Sequence, residues 1–183
     1  MNNTTMQSLT TLLWPEGDKA EGKQVYWLLD GARDPEIVSL LGASGLPHVS
    51  LFSGQLHPRL MAAAPHLVHF PQAAAATELL LRRGWGKAWG IFTIVGANVN
   101  MDQQRLHLKK FLRVQTGQGT LMFRYYDPRV LNVYLPTCTA DGFQTFLGPV
   151  ARVVCERDEG KTARTFSWQK DPGAAMVMID IPC

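Results

Sequence analysis

Cysteine is scarce. Cys138, Cys155 and Cys183 are the three in a chain of 183 residues, too few and too scattered for a disulfide framework, and a reducing compartment fits that usage best. No apolar run crosses a bilayer's thickness uninterrupted. The uncharged span 37–58 raises the question, but Gly42, Gly45, Pro47, His48, Gly54 and His57 break it into short pieces. No basic, apolar and small-residue succession opens the chain, so no secretory signal is expected and a soluble, cytoplasmic protein is. Nucleophile and nucleotide motifs are missing as well: there is no Gly-x-Ser-x-Gly elbow and no Gly-rich phosphate loop ending in lysine. Gly84-Trp85-Gly86 and Gly117-Gln118-Gly119 supply turn glycines without nucleotide spacing, and neither a repeat nor a low-complexity segment occurs.

What is present suits one main folded domain, since 46% apolar content over this length can bury a sizeable core. The net charge of +3 is unevenly spread: residues 79–130 carry nine Lys/Arg against two Asp/Glu, between flanks of −3 and −1. Such a middle third attracts an acidic protein surface or a phosphate backbone, or is a basic face balanced by acidic loops folded over it.

The densest structural signal is the run 119–131. Leu121, Phe123 and Tyr125 alternate with Met122, Arg124 and Tyr126, so residues 120–126 predict a strand buried on both sides. Asp127 is placed to cap a helix and Pro128 to open it. An arginine on a buried strand needs an anionic or carbonyl partner, and Asp127 or Asp30 is available. The same punctuation stands earlier, where strand 25–30 leads to the Asp34-Pro35 start of a helix over 35–41 that Gly42 would end.

Further elements follow from periodicity. Strands are predicted at 48–52, 66–70 and 89–95, the last apolar on both faces and therefore central. Helices are predicted at 73–83 and at 101–112, the latter preceded by Asn98 or Asn100 and carrying Arg105, Lys109 and Arg113 as a basic stripe at four-residue intervals. A hairpin turns at 117–119, Asp141 caps a helix running to Phe146, and strands 150–155 and 162–168 form a second hairpin about the charged run 156–161. The strand, helix and strand at 25–52 are spaced for a parallel crossover. The fold class is therefore α/β, with a mixed sheet, helices packed on its faces and an antiparallel hairpin near the C-terminus. Residues 1–23 read as a loosely attached leader, 24–155 as the core domain, and 156–183 as a short extension belonging to that domain or left from a further lobe.

The pieces LLDGARDP (28–35), PHLVHF (65–70), GWGKAWGIF (84–92) and above all LRVQTGQGTLMFRYYDPRVL (112–131) resemble the domain-of-unknown-function family numbered 4123, over residues 24–150. Studied members are adaptor chaperones of bacterial type VI secretion. The resemblance implies a protein that holds a cognate toxic effector and helps place it on the valine-glycine-repeat spike, with effector and spike as partners and no membrane. It also implies a variable C-terminal part that discriminates cargo, and with only about 30 residues after the block such a lobe would be missing or removed.

Asp30, Arg124, Tyr125, Tyr126, Asp127 and Arg129 are then candidates either for partner contact or for fixing the fold as an ion pair and helix cap. Trp14, Trp85 and Trp168, in loops or edges, are interface candidates if exposed. A nucleic-acid module using the basic segment 105–113 is the alternative reading, and an enzyme of unknown substrate a third. No catalytic residue is assigned: Ser53 with His57 and Asp30 follows no spacing rule, and His66 and His69 lie on opposite faces of a strand, poor geometry for a shared metal. No metal or cofactor is expected.

Overall fold

The computed structural model describes residues 1–169 and 175–183. It begins with helices α1 (Asn3–Leu13) and α2 (Glu16–Ala20). Two strand-helix-strand runs follow: β1 (Gln24–Asp30), α3 (Glu36–Ser44) and β2 (His48–Ser50), then, after α4 (Pro58–Ala62), β3 (Pro65–His69), α5 (Ala75–Gly84) and β4 (Gly90–Val95). The remainder is α6 (Met101–Lys109), β5 (Arg113–Thr116), β6 (Gly119–Met122), α7 (Pro128–Tyr134), α8 (Ala140–Leu147), β7 (Val150–Arg157), β8 (Thr162–Gln169) and β9 (Ala175–Pro182).

Among the described residues one seven-stranded sheet runs in the order β2-β3-β1-β4-β7-β8-β9, and β5-β6 forms a separate two-stranded ribbon. The α/β class, the helices on both faces and an antiparallel hairpin near the C-terminus agree with the sequence. The mixed sheet does not, because every ladder is antiparallel. β1 and β2 do point the same way, but β3 lies between them, and β1 likewise separates β3 from β4. Each crossover skips one place, giving a split βαβ arrangement used twice. The spacing of a crossover does not reveal whether the gap it spans is empty or filled.

Alternation along the strands sorts the core. Tyr26, Leu28, Leu67, Ile91 and Val153 face α6, α7 and α8, where Leu108, Leu131, Phe143 and Phe146 meet them. Val25, Trp27, Leu29, Val68, Phe92 and Ile94 face α1, α3 and α5, meeting Leu9, Leu13, Ile37 and Leu80. Each large side chain so buried stabilises the fold by about 1.5–3 kcal/mol.

Residues 1–23 are not loosely attached. Leu9 and Leu13 are fully buried, Trp14 stacks on Phe70 at 5.9 Å, and Arg152 of β7 donates to Asp18 at 2.7 Å and to the Leu12 carbonyl at 3.1 Å. Leu9 and Leu13 fall one turn apart on α1, so the helix presents an apolar stripe to the sheet. Several other boundaries move. The third helix runs past Gly42 to Gly45, whose φ of 67° is the left-handed stop. Thr139, and not Asp141, caps α8, and α6 is capped by Asn100 with Gln103 reciprocating. Residues 120–126 are not a buried strand: β6 stops at Met122, and both strands of the ribbon are exposed throughout. Strand alternation there records two faces but not what covers them. β9 was unforeseen, and β7 runs through position 155, where the sequence reading divided core from extension. Among the described residues no helix is long and apolar enough to cross a membrane.

Candidate functional site

At one end of the sheet three carboxylates hold the chain together. β1 ends on Asp30, β7 ends beside Glu156, and antiparallel pairing brings the start of β4 to the same end. Asp30 is fully buried; its Oδ1 accepts the Ala32 N–H at 3.1 Å and its Oδ2 pairs with the Arg124 guanidinium. Asp127 caps α7 by accepting the Arg129 N–H at 3.0 Å, and its two oxygens also receive the Arg129 guanidinium. Glu156, 7% exposed, accepts the N–H groups of Gly86 and Ala88 at 2.7 Å each. Every carboxylate oxygen of the three is engaged, which satisfies buried charge that is otherwise costly.

Five of the six signature candidates meet here: Asp30, Arg124, Tyr126, Asp127 and Arg129. Tyr125 turns the other way, fully buried, donating its hydroxyl to the Leu108 carbonyl at 2.7 Å and packing edge-on to Phe111 and Phe146. Of the two partners the sequence offered Arg124, the structure uses Asp30. Gly31 belongs to the same corner because a β-carbon there would lie 2.2 Å from the Ala62 carbonyl oxygen and 2.5 Å from that of Ala64, so LLDGARDP needs its glycine for close approach.

Electrostatics follow the geometry. The Arg124 guanidinium is held above its ordinary value by its hydrogen bond to Asp30. Burial pushes the Tyr126 hydroxyl up to about 12, with the Asp30 charge adding and Arg124 opposing. Burial alone would raise Asp127, but the Arg129 guanidinium and backbone N–H hold it below the usual carboxylate range. Glu156 is raised by burial, against the pull of the Gly86 and Ala88 amides. A cleft of roughly 840 Å³ opens outside this corner, lined among others by Arg33, Lys87, Arg129, Glu156 and Arg164.

The basic stripe lies elsewhere, and only part of it is on a helix. Arg105 clamps the chain after β2, donating to the Ser50 carbonyl at 2.7 Å, the Phe52 carbonyl at 3.2 Å and Ser53 Oγ at 3.1 Å. Lys109 also donates to Ser53 Oγ. Arg113 is off the helix, because α6 stops at Lys109, and sits exposed at the start of β5. Lys109 and Arg113 nonetheless border one groove of about 510 Å³ between the 51–60 segment and the β5–β6 ribbon.

Sequence reading missed Glu156, which it placed in a charged surface run. Its only signal was that it continues the apolar Val153-Val154-Cys155, and its partner amides are about 70 residues away. It also missed Leu60 and Met122, which are exposed in the groove. Trp14 and Trp85 are buried and Trp168 is half-buried against the core, so none of the three offers the exposed face considered for it. His66 and His69 do fall on opposite faces of β3, and among the described residues no group of His, Cys, Asp and Glu is placed to hold a metal ion.

The chain is an antiparallel α/β fold whose buried carboxylates knit strand ends together and whose exposed groove is apolar and basic. Over residues 25–144 it matches the family described as Domain of unknown function (DUF4123), and the chain belongs to that family. No curated protein and no solved structure matches it. The matched span runs from β1 into α8, covering Asp30, the Arg124–Arg129 corner and the groove, and stopping short of Glu156.

Proposed function

We propose that this protein is a non-enzymatic adaptor chaperone of bacterial type VI secretion, which holds a cognate effector in the cytoplasm and assists its loading onto the valine-glycine-repeat spike. The family match over residues 25–144, which includes the Arg124-Tyr125-Tyr126-Asp127-Pro128-Arg129 core, carries the reading. The two candidate regions divide the work. The carboxylate corner keeps the platform rigid, and the groove beside Lys109 and Arg113 leaves exposed apolar side chains for a client.

Holding and release then rest on binding energy and mass action. A dissociation constant of about 1 μM corresponds to roughly 8 kcal/mol, enough to retain a client at cellular concentrations and still surrender it to a tighter site. The test is affinity capture of the tagged full chain from a bacterium that is actively secreting, followed by mass spectrometry. Enrichment of a spike protein and a toxin is expected, and recovery of neither overturns the proposal.

A further inference from the structure

Cations without a carboxylate gather at the groove between the 51–60 segment and the β5–β6 ribbon, whereas most arginines elsewhere among the described residues are paired. Arg82, Arg83, Arg124, Arg129, Arg152, Arg157 and Arg164 each reach a carboxylate. Lys109, Lys110 and Arg113, on the groove's rim, have no carboxylate partner among the described residues. The cause lies in the sequence: no Asp or Glu occurs between Glu36 and Glu78 or between Asp102 and Asp127, the two stretches that build the groove walls.

The floor is apolar. Leu56, Leu60 and Met122 line it, and Leu60 is 54% and Met122 49% exposed. Among the described residues the ribbon contributing Met122 pairs only with itself, and every residue in both strands is exposed. A two-stranded ribbon alone in water is marginal and gains stability from whatever packs on it. Large exposed apolar side chains rimmed by charge mark an interaction site, and the volume accommodates a few side chains of a partner.

From these observations we infer that the groove binds an acidic, amphipathic segment of a partner protein, whose Leu, Ile, Met or Phe side chains enter between Leu60 and Met122 while its Asp and Glu residues pair with Lys109, Lys110 and Arg113. A phosphate backbone would satisfy the rim but leave the apolar floor unused, and stacking of bases calls for exposed aromatic rings, whereas Phe52, the aromatic residue lining the groove, is partly buried. The inference specifies the chemistry of what the proposed adaptor holds, and rests on that reading only for the partner's identity.

The test selects a library of random 16-residue peptides on the immobilised full chain and, in parallel, on the Lys109→Glu/Lys110→Glu/Arg113→Glu variant. Thermal melts first establish that the variant is folded. Peptides enriched on the wild type should carry an excess of Asp and Glu with spaced apolar residues, and the variant should shift that preference toward Lys and Arg. A labelled copy of the leading peptide should bind at least tenfold more weakly to the triple variant and to Leu60→Ser/Met122→Ser, and more weakly as salt rises. Enriched peptides without acidic excess, no enrichment, or affinity unchanged in either variant overturns the inference. So does a labelled 16-nucleotide single strand that binds more tightly than the peptide and loses affinity in both variants. The two readings fail separately: toxin captured equally by the triple variant removes the groove and keeps the adaptor, whereas peptide binding without any toxin or spike captured by the wild type does the reverse.

Discussion

Arg124 and Asp30 lie 94 residues apart in sequence, and the guanidinium of the first closes on the fully buried carboxylate of the second. The pair ties the end of β1 to the turn that opens α7. Because the Arg124 side chain is 45% exposed, solvent screens part of the attraction. Removing it still strands a buried carboxylate, which among the described residues keeps only the Ala32 N–H. Arg124→Ala should therefore cost about 1–2 kcal/mol, and each kcal/mol lowers the melting temperature of a chain this size by roughly 2–4 °C. Calorimetry checks this. An unchanged melting temperature with lost partner binding would reassign Arg124 from holding the fold to touching the client.

Asp127 should give stability a distinct acid limb. A carboxyl whose folded pKa is depressed contributes stability above its unfolded value near 4 and loses it as pH falls through the folded value. Asp127→Asn keeps an acceptor for the cap but loses the charge paired with Arg129. Its deficit, measured by urea denaturation, should be present at pH 7 and fade as acid protonates Asp127 below the ordinary carboxylate range. Asp127→Ala loses the cap as well, about 1 kcal/mol that persists in acid, and at pH 7 the lost charge pair adds to it. A deficit of Asp127→Asn that grows on acidification would contradict the pairing.

Gly31→Ala should destabilise by about 1–3 kcal/mol, since the new methyl meets two backbone carbonyls that cannot swing away as a side chain would. Equilibrium denaturation is the measurement. A neutral result would mean that the β1 end and the chain at 62–64 are further apart than described.

Cys155 is fully buried, and burial pushes its thiol up to about 12. Alkylation at pH 8 followed by peptide mapping should leave it unmodified in the folded protein and modify it once denaturant is added. Labelling at the native rate of an open thiol would show that β7 is not packed against α7 as found.

Much of this was legible before the coordinates. The Asp127-Pro128 helix start, the centrality of β4, the β7–β8 hairpin and the opposite facing of His66 and His69 all follow from local chemistry, because caps, prolines and alternation act over a few residues. What escaped depends on neighbours far along the chain. Met122 and Tyr125 carry the same apolar signal, yet one lies on an open ribbon and the other inside the core. Glu156 read as surface charge because the amides that hold it belong to residues 86 and 88. Residues 1–23 read as a loosely attached leader because the surface that receives Leu9 and Leu13 is made by α3, α5 and the sheet.

The sheet does not end where the family match does. β4, buried along its whole length, has β7 as one of its two ladder partners, and β7 starts at Val150, beyond residue 144. A recombinant fragment trimmed to the matched span would leave that flank of β4 with bare amides and carbonyls on an apolar strand, the arrangement that recruits other molecules edge to edge. Such a fragment would precipitate, and its insolubility would say nothing about whether the intact polypeptide can carry cargo.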